Sequence, residues 1–94
     1  MLRLSKQVRT IPEEAGDLGV MIRAVRKSKG GEGLYCVMRS EATNGLMEIT
    51  PLIYARLEAK QHDIDVFGLA KTKSNAMELV RILVDEMAKS GKLG

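Results

Sequence analysis

His62, Asp63 and Asp65 lie within four positions of one another, and with the lone cysteine, Cys36, they are the residues of this 94-residue chain whose types could do acid–base or metal chemistry. An imidazole beside carboxylates can relay a proton or hold a cation, but a structural zinc site takes four ligands and a catalytic one three plus water. That count is not met. The stretch reads as a solvated connection running into a strand. Cys36 would act as a nucleophile only with a base and an orienting group converging on it. Flanked by Tyr35, Val37 and Met38, it reads as a small buried hydrophobe. Gly30-Gly31-Glu32-Gly33 is rich in glycine, yet a phosphate-cradling loop runs into a helix N-terminus and here an apolar strand follows. It reads as a turn. No catalytic residue, metal, cofactor or small-molecule substrate is therefore expected, and the chain is not expected to be an enzyme.

Positive charge is the second chemical feature. The formal net charge is +3, but residues 1–39 hold eight basic against four acidic side chains, which leaves −1 for the rest. A basic half can attract nucleic acid through its phosphates. The candidate contacts are Arg3, Lys6, Arg9, Arg23, Arg26, Lys27 and Lys29, joined by Lys71 and Lys73. Tyr35, Tyr54 and Phe67 all fall in predicted strands, where RNA-binding sheets place the rings on which bases stack. RNA is thus one expected partner, although large aromatic side chains are more often buried as core.

Length and composition bound the rest. Hydrophobic residues make up 45% and charged residues 29%, as in ordinary globular chains, and 94 residues suffice for one core and not two. One cysteine excludes an internal disulfide and suits a reducing compartment. No apolar run has the length of a signal peptide or a membrane span, so a cytoplasmic protein without membrane association is expected.

The elements that must position these side chains follow from periodicity. Leu2, Leu4 and Val8 alternate with polar residues and predict an edge strand. Thr10-Ile11-Pro12-Glu13 has capping-box spacing and predicts a helix with a stripe of Ala15, Leu18, Ile22 and Val25, flanked by Met21 and ended near Gly30. Gly16 and Gly19 weaken it, and a strand over 19–27 is the rival. Leu34 to Met38 is an apolar run that predicts a central strand. Asn44-Gly45 then suits a hairpin turn. Alternation from Leu46 to Glu58 predicts a further strand, with Pro51 at an edge or bulge, and the alternative ends that strand at Ile49 and starts a helix at Thr50-Pro51. A last strand runs from Ile64 to Ala70. Thr72 or Ser74 then caps a closing helix with a stripe of Ala76, Leu79, Val80, Leu83, Val84 and Met87, with Ile82 off it and Arg81–Asp85 and Asp85–Lys89 able to pair. Gly91 can end it, and residues 91–94 are expected to fray.

This order is similar to that of ribosome-associated hibernation factors, and without its first strand to that of double-stranded-RNA-binding domains. In the latter, lysines at the start of the last helix contact phosphate, and Lys71 and Lys73 stand in a comparable place, with Ser74 where a further lysine would extend the run. The resemblance is one of element order and reaches no wider motif.

The expected architecture is α+β: a single domain with an antiparallel sheet of about four strands in the order β-α-β-β-β-α and both helices on one face. The opposite sheet face would then lie open. It would expose Leu46, Leu52, Tyr54, Phe67 and Leu69, with Ile82 nearby on the last helix, and an open apolar face marks a contact site. The leading functional expectation is a small non-catalytic interaction or regulatory protein, homodimeric through that face, with RNA or ribosome binding as the alternative.

Overall fold

A computed structural model describes residues 1–27, 30–40 and 46–90. Its four strands are β1 (Leu2–Arg9), β2 (Tyr35–Ser40), β3 (Glu48–Pro51) and β4 (Ile64–Ala70), and its helices α1 (Leu18–Arg26), α2 (Leu52–Glu58) and α3 (Lys73–Lys89). A 3-10 segment, Pro12–Asp17, leads into α1. The strands form one sheet in the order β1-β4-β2-β3.

The sheet is mixed, which corrects the antiparallel expectation. β2 runs antiparallel to both β3 and β4, but β1 lies parallel to β4, with Leu2 opposite Ile64 and Leu4 opposite Val66. The partner of β1 comes last among the strands, so the intervening elements form the crossover that a parallel pair requires. β1 is indeed an edge strand. Between Leu4 and Arg9 it advances five residues while β4 advances only from Val66 to Gly68, so β1 arches away over Ser5–Val8. Ser5 Oγ accepts the amide N–H of Gln7 at 3.1 Å, a local bond that competes with the ladder.

Helices cover both faces, not one. On one side Cys36, Met38, Ile64, Val66 and Leu69 pack with Met21 and Val25 of α1 and Leu52 and Ala55 of α2. On the other, Val37 and Ala70 pack with Ile11 and with Ala76 and Leu79 of α3. Cys36, Val37 and Met38 are each fully buried, as the unbroken apolar run in β2 requires when neither parity can face water. Beneath α3 the ladder from β2 to β4 slips by one residue, with Val37 opposite Gly68 and Met38 opposite Val66. Gly68 permits the close approach of α3 there: a Cβ would come within 2.6 Å of Leu79 Cδ2 and 3.0 Å of Val37 Cβ.

Local signals were met unevenly. Thr72 Oγ1 accepts from Asn75 N at 3.1 Å and caps α3, as expected. At the start of the 3-10 segment that leads into α1 the expected capping box is absent, for Ile11 sits at the cap with Pro12 after it, and Thr10 Oγ1 is buried without a partner among the described residues. Glu14, not Ala15, turns inward there, and both its carboxylate oxygens accept from Lys71 N, at 3.1 and 3.2 Å. Residues 19–26 are helical, with Met21 and Val25 inward, and Lys27 is the extended C-cap. The predicted strand over Leu46–Glu58 stops at Pro51 and α2 begins at Leu52, so a helix follows the strand as in the alternative, but two residues later than its Ile49 boundary; proline's missing N–H ends the ladder there. In α3, Ile82 packs with Leu83 against the sheet while Val84 is exposed, which rotates the expected stripe. Arg81 pairs with Glu78 in place of Asp85, and Asp85 pairs with Lys89 at 3.2 Å. The Asn44-Gly45 turn, Gly91 and the expected fraying of 91–94 lie outside the described residues.

Candidate interaction surface

The short helix α2 is held by its inner side. Leu52 and Ala55 are buried in the core, and the Arg56 guanidinium reaches α1, donating to Ala24 O at 2.8 Å and Lys27 O at 3.0 Å, and also to Gly30 O at 2.6 Å. These include carbonyls near the C-terminus of α1, where a cation meets both unsatisfied acceptors and the negative end of the helix dipole. With one side so committed, the other faces water. Ile53, Tyr54 and Leu57 share that outer side and are 57%, 61% and 54% exposed.

A groove of about 480 Å³ runs along α1, lined in its apolar part by Val20, Met21, Ala24 and Leu34 and by no residue of α2. Its wall is the Gly31–Gly33 turn, where Gly31 has φ 76° and a Cβ would come within 2.8 Å of Leu52 Cδ2 and 3.3 Å of Ala24 Cβ. Only glycine suits that position, since the backbone is left-handed and the space is already filled. Val20 stands exposed at the groove. Lys71 and Asp17, paired with each other, close one end.

Of the residues expected on an open sheet face, Leu52 and Leu69 are buried in the core and Phe67 lies under the Arg39 guanidinium, 5.2 Å from Cζ to the ring centroid. Ile82, on α3, packs against the sheet. Only Leu46 and Tyr54 are exposed, and Tyr54 is on a helix. The open face does not exist because α3 occupies it. Ile53 and Leu57 were missed, although their i, i+1, i+4 spacing with Tyr54 was available in the sequence; reading 46–58 as one strand put them on one parity and Tyr54 on the other.

The expected phosphate contacts do not form one uncompensated patch. Arg3 pairs with Asp65 at 3.0 Å, Arg9 with Glu86, and Lys71 with Asp17. Lys29 lies outside the described residues. Among the described residues Lys6, Arg23, Arg26, Lys27 and Lys73 make no ion pair. Arg23 and Arg26 occupy the last turn of α1 with Lys27 at its cap, where cations also offset the helix dipole, while Lys6 and Lys73 are on β1 and α3. Tyr35 is partly buried under α3, so the strand aromatics offer no stacking platform. The extra helix α2, between β3 and β4, departs from the element order on which that resemblance rested.

The acid–base candidates are dispersed to separate tasks. Burial pushes the Cys36 thiol up to about 12, with Arg56 nearby drawing it down to a lesser extent. His62 offers its backbone carbonyl to the Met1 ammonium at 2.8 Å, and Asp63 stands 3.5 Å from the same group. Among the described residues no three His, Cys, Asp or Glu side chains are grouped to hold a metal ion, and no helix is long and apolar enough to cross a membrane. Compared with family models, characterised proteins and solved structures, the chain matches none.

Proposed function

We propose that this protein is a small non-catalytic cytoplasmic interaction domain that pairs with a second copy of itself through the outer side of α2. The observation that carries this reading is the exposure of Ile53, Tyr54 and Leu57 together on a seven-residue helix. Large apolar side chains grouped on a surface otherwise rich in charge favour association. A second copy suits the site because a two-fold contact sets the same stripe against itself, so that Ile53, Tyr54 and Leu57 of both copies are buried at once. The single buried thiol agrees with a reducing cytoplasm.

The test is sedimentation velocity over a wide concentration range. A concentration-dependent dimer is expected, and Leu57→Glu should weaken it at least tenfold while leaving the fold intact. A strict monomer at high concentration rejects the reading. Thermal unfolding gives a second check, since a dimer's midpoint rises with protein concentration and a monomer's does not.

A second reading, RNA or ribosome binding, is supported by the cations that remain without ion pairs, foremost Arg23, Arg26 and Lys27 at the end of α1. Its signature is affinity that falls steeply with salt. Filter binding with structured RNA at low and moderate salt decides it.

A further inference from the structure

We propose that the groove beside the C-terminal half of α3 binds a small aliphatic monocarboxylate, with Arg39 as the group that receives the carboxylate. The sheet face under α3 bears a row of charges, Arg3, Asp65 and Arg39, in which Asp65 stands directly opposite Arg39 in the β2–β4 ladder. Asp65 nevertheless takes Arg3, at 3.0 Å. Arg9 and Glu86, also on this side, satisfy each other. Among the described residues Arg39 makes no ion pair; its guanidinium lies over the Phe67 ring, and its Nε is buried with no acceptor among them.

The surroundings say what kind of anion suits Arg39. Met47, Phe67, Leu83 and Met87 wall a recess of about 180 Å³ with Arg39 at it. Phe67, Leu83 and Met87 also border a groove of about 390 Å³ below the arch of β1. The arch and the recess therefore meet at the same apolar side chains. The space has room for a short hydrocarbon chain and not for a folded segment. The Phe67 ring lies within cation–π range of the guanidinium, whose planar fork matches a carboxylate better than an ammonium would. Apolar walls strengthen that attraction by lowering the local dielectric, and two methionines let the recess adapt to a flexible tail. This inference is independent of self-association through α2.

The experiment is an NMR titration of the full chain with sodium octanoate, 1-octanol and octylammonium. Octanoate should shift the resonances of Arg39, Phe67, Leu83 and Met87 and bind at least tenfold tighter than octanol, and octylammonium should not compete. In Arg39→Gln the advantage of octanoate over octanol should vanish. Octanoate that fails to bind, binds no tighter than octanol, or shifts residues elsewhere on the molecule overturns the proposal. Should Arg39→Gln not fold, the comparison of the three ligands on the unchanged chain decides by itself.

Discussion

Cys36 sits in the middle of a strand covered on both faces, and that position determines its chemistry. Burial pushes its thiol up to about 12 from the ordinary 9.0, because the thiolate is poorly solvated there. A folded-state value raised above the unfolded one contributes stability that is complete below the unfolded value and is lost as pH rises toward the folded one. The window here is therefore alkaline, from 9.0 up to about 12. Stability of the native chain should fall through that window more steeply than stability of Cys36→Ala, measured by urea unfolding at matched pH; parallel profiles count against the assignment. Gly68 is the other residue with a sharp expectation. Adding its Cβ drives into Leu79 and into the stiff Val37 side chain, so Gly68→Ala should destabilise by about 1–3 kcal/mol. An unchanged urea midpoint would show that α3 can lift off at little cost.

Elements were legible where local chemistry and tertiary demand agreed. β4 and α3 are of this kind, since the strand pattern over Ile64–Ala70 and the Thr72 cap each act within a few residues. α2 is the opposite case. Its seven residues are too few to be stable as an isolated helix, and what holds them is Arg56 reaching back to carbonyls of α1 and Gly30. No pattern within 52–58 announces those acceptors, because they come from a distant segment. Arg56→Ala should cost about 1–3 kcal/mol, as hydrogen bonds from a charged donor are lost together with the packing of its stem. Arg56→Lys should recover only part, since one ammonium cannot span three carbonyls set for a guanidinium. A value for Arg56→Ala within about 0.5 kcal/mol of zero would assign α2 to apolar packing alone.

At the scale of the whole molecule, the expected open sheet face gave way to three layers, with α1 and α2 on one side and α3 on the other. A clue was present in residues 34–38, for a strand apolar on both parities needs cover on both faces, and a one-sided sheet leaves half of it wet. The same correction moved the candidate contact surface from the sheet to α2, and with it the dimer test from strand residues to Leu57. It also placed α3 beside Arg39 and Phe67 and so made the recess between them. Taken alone, the sequence determined the class of the fold, the central place of β2, the edge strand β1 and the closing β4–α3 unit, because periodicity, turn residues and caps act locally. Only the tertiary structure decided that β1 lies parallel to β4, that Pro51 begins a helix, which face α3 covers, and which cations and apolar side chains remain unpartnered. Those outcomes depend on contacts between residues far apart in the chain, and a side chain's spacing from its neighbours carries no record of the distant group that will neutralise or bury it.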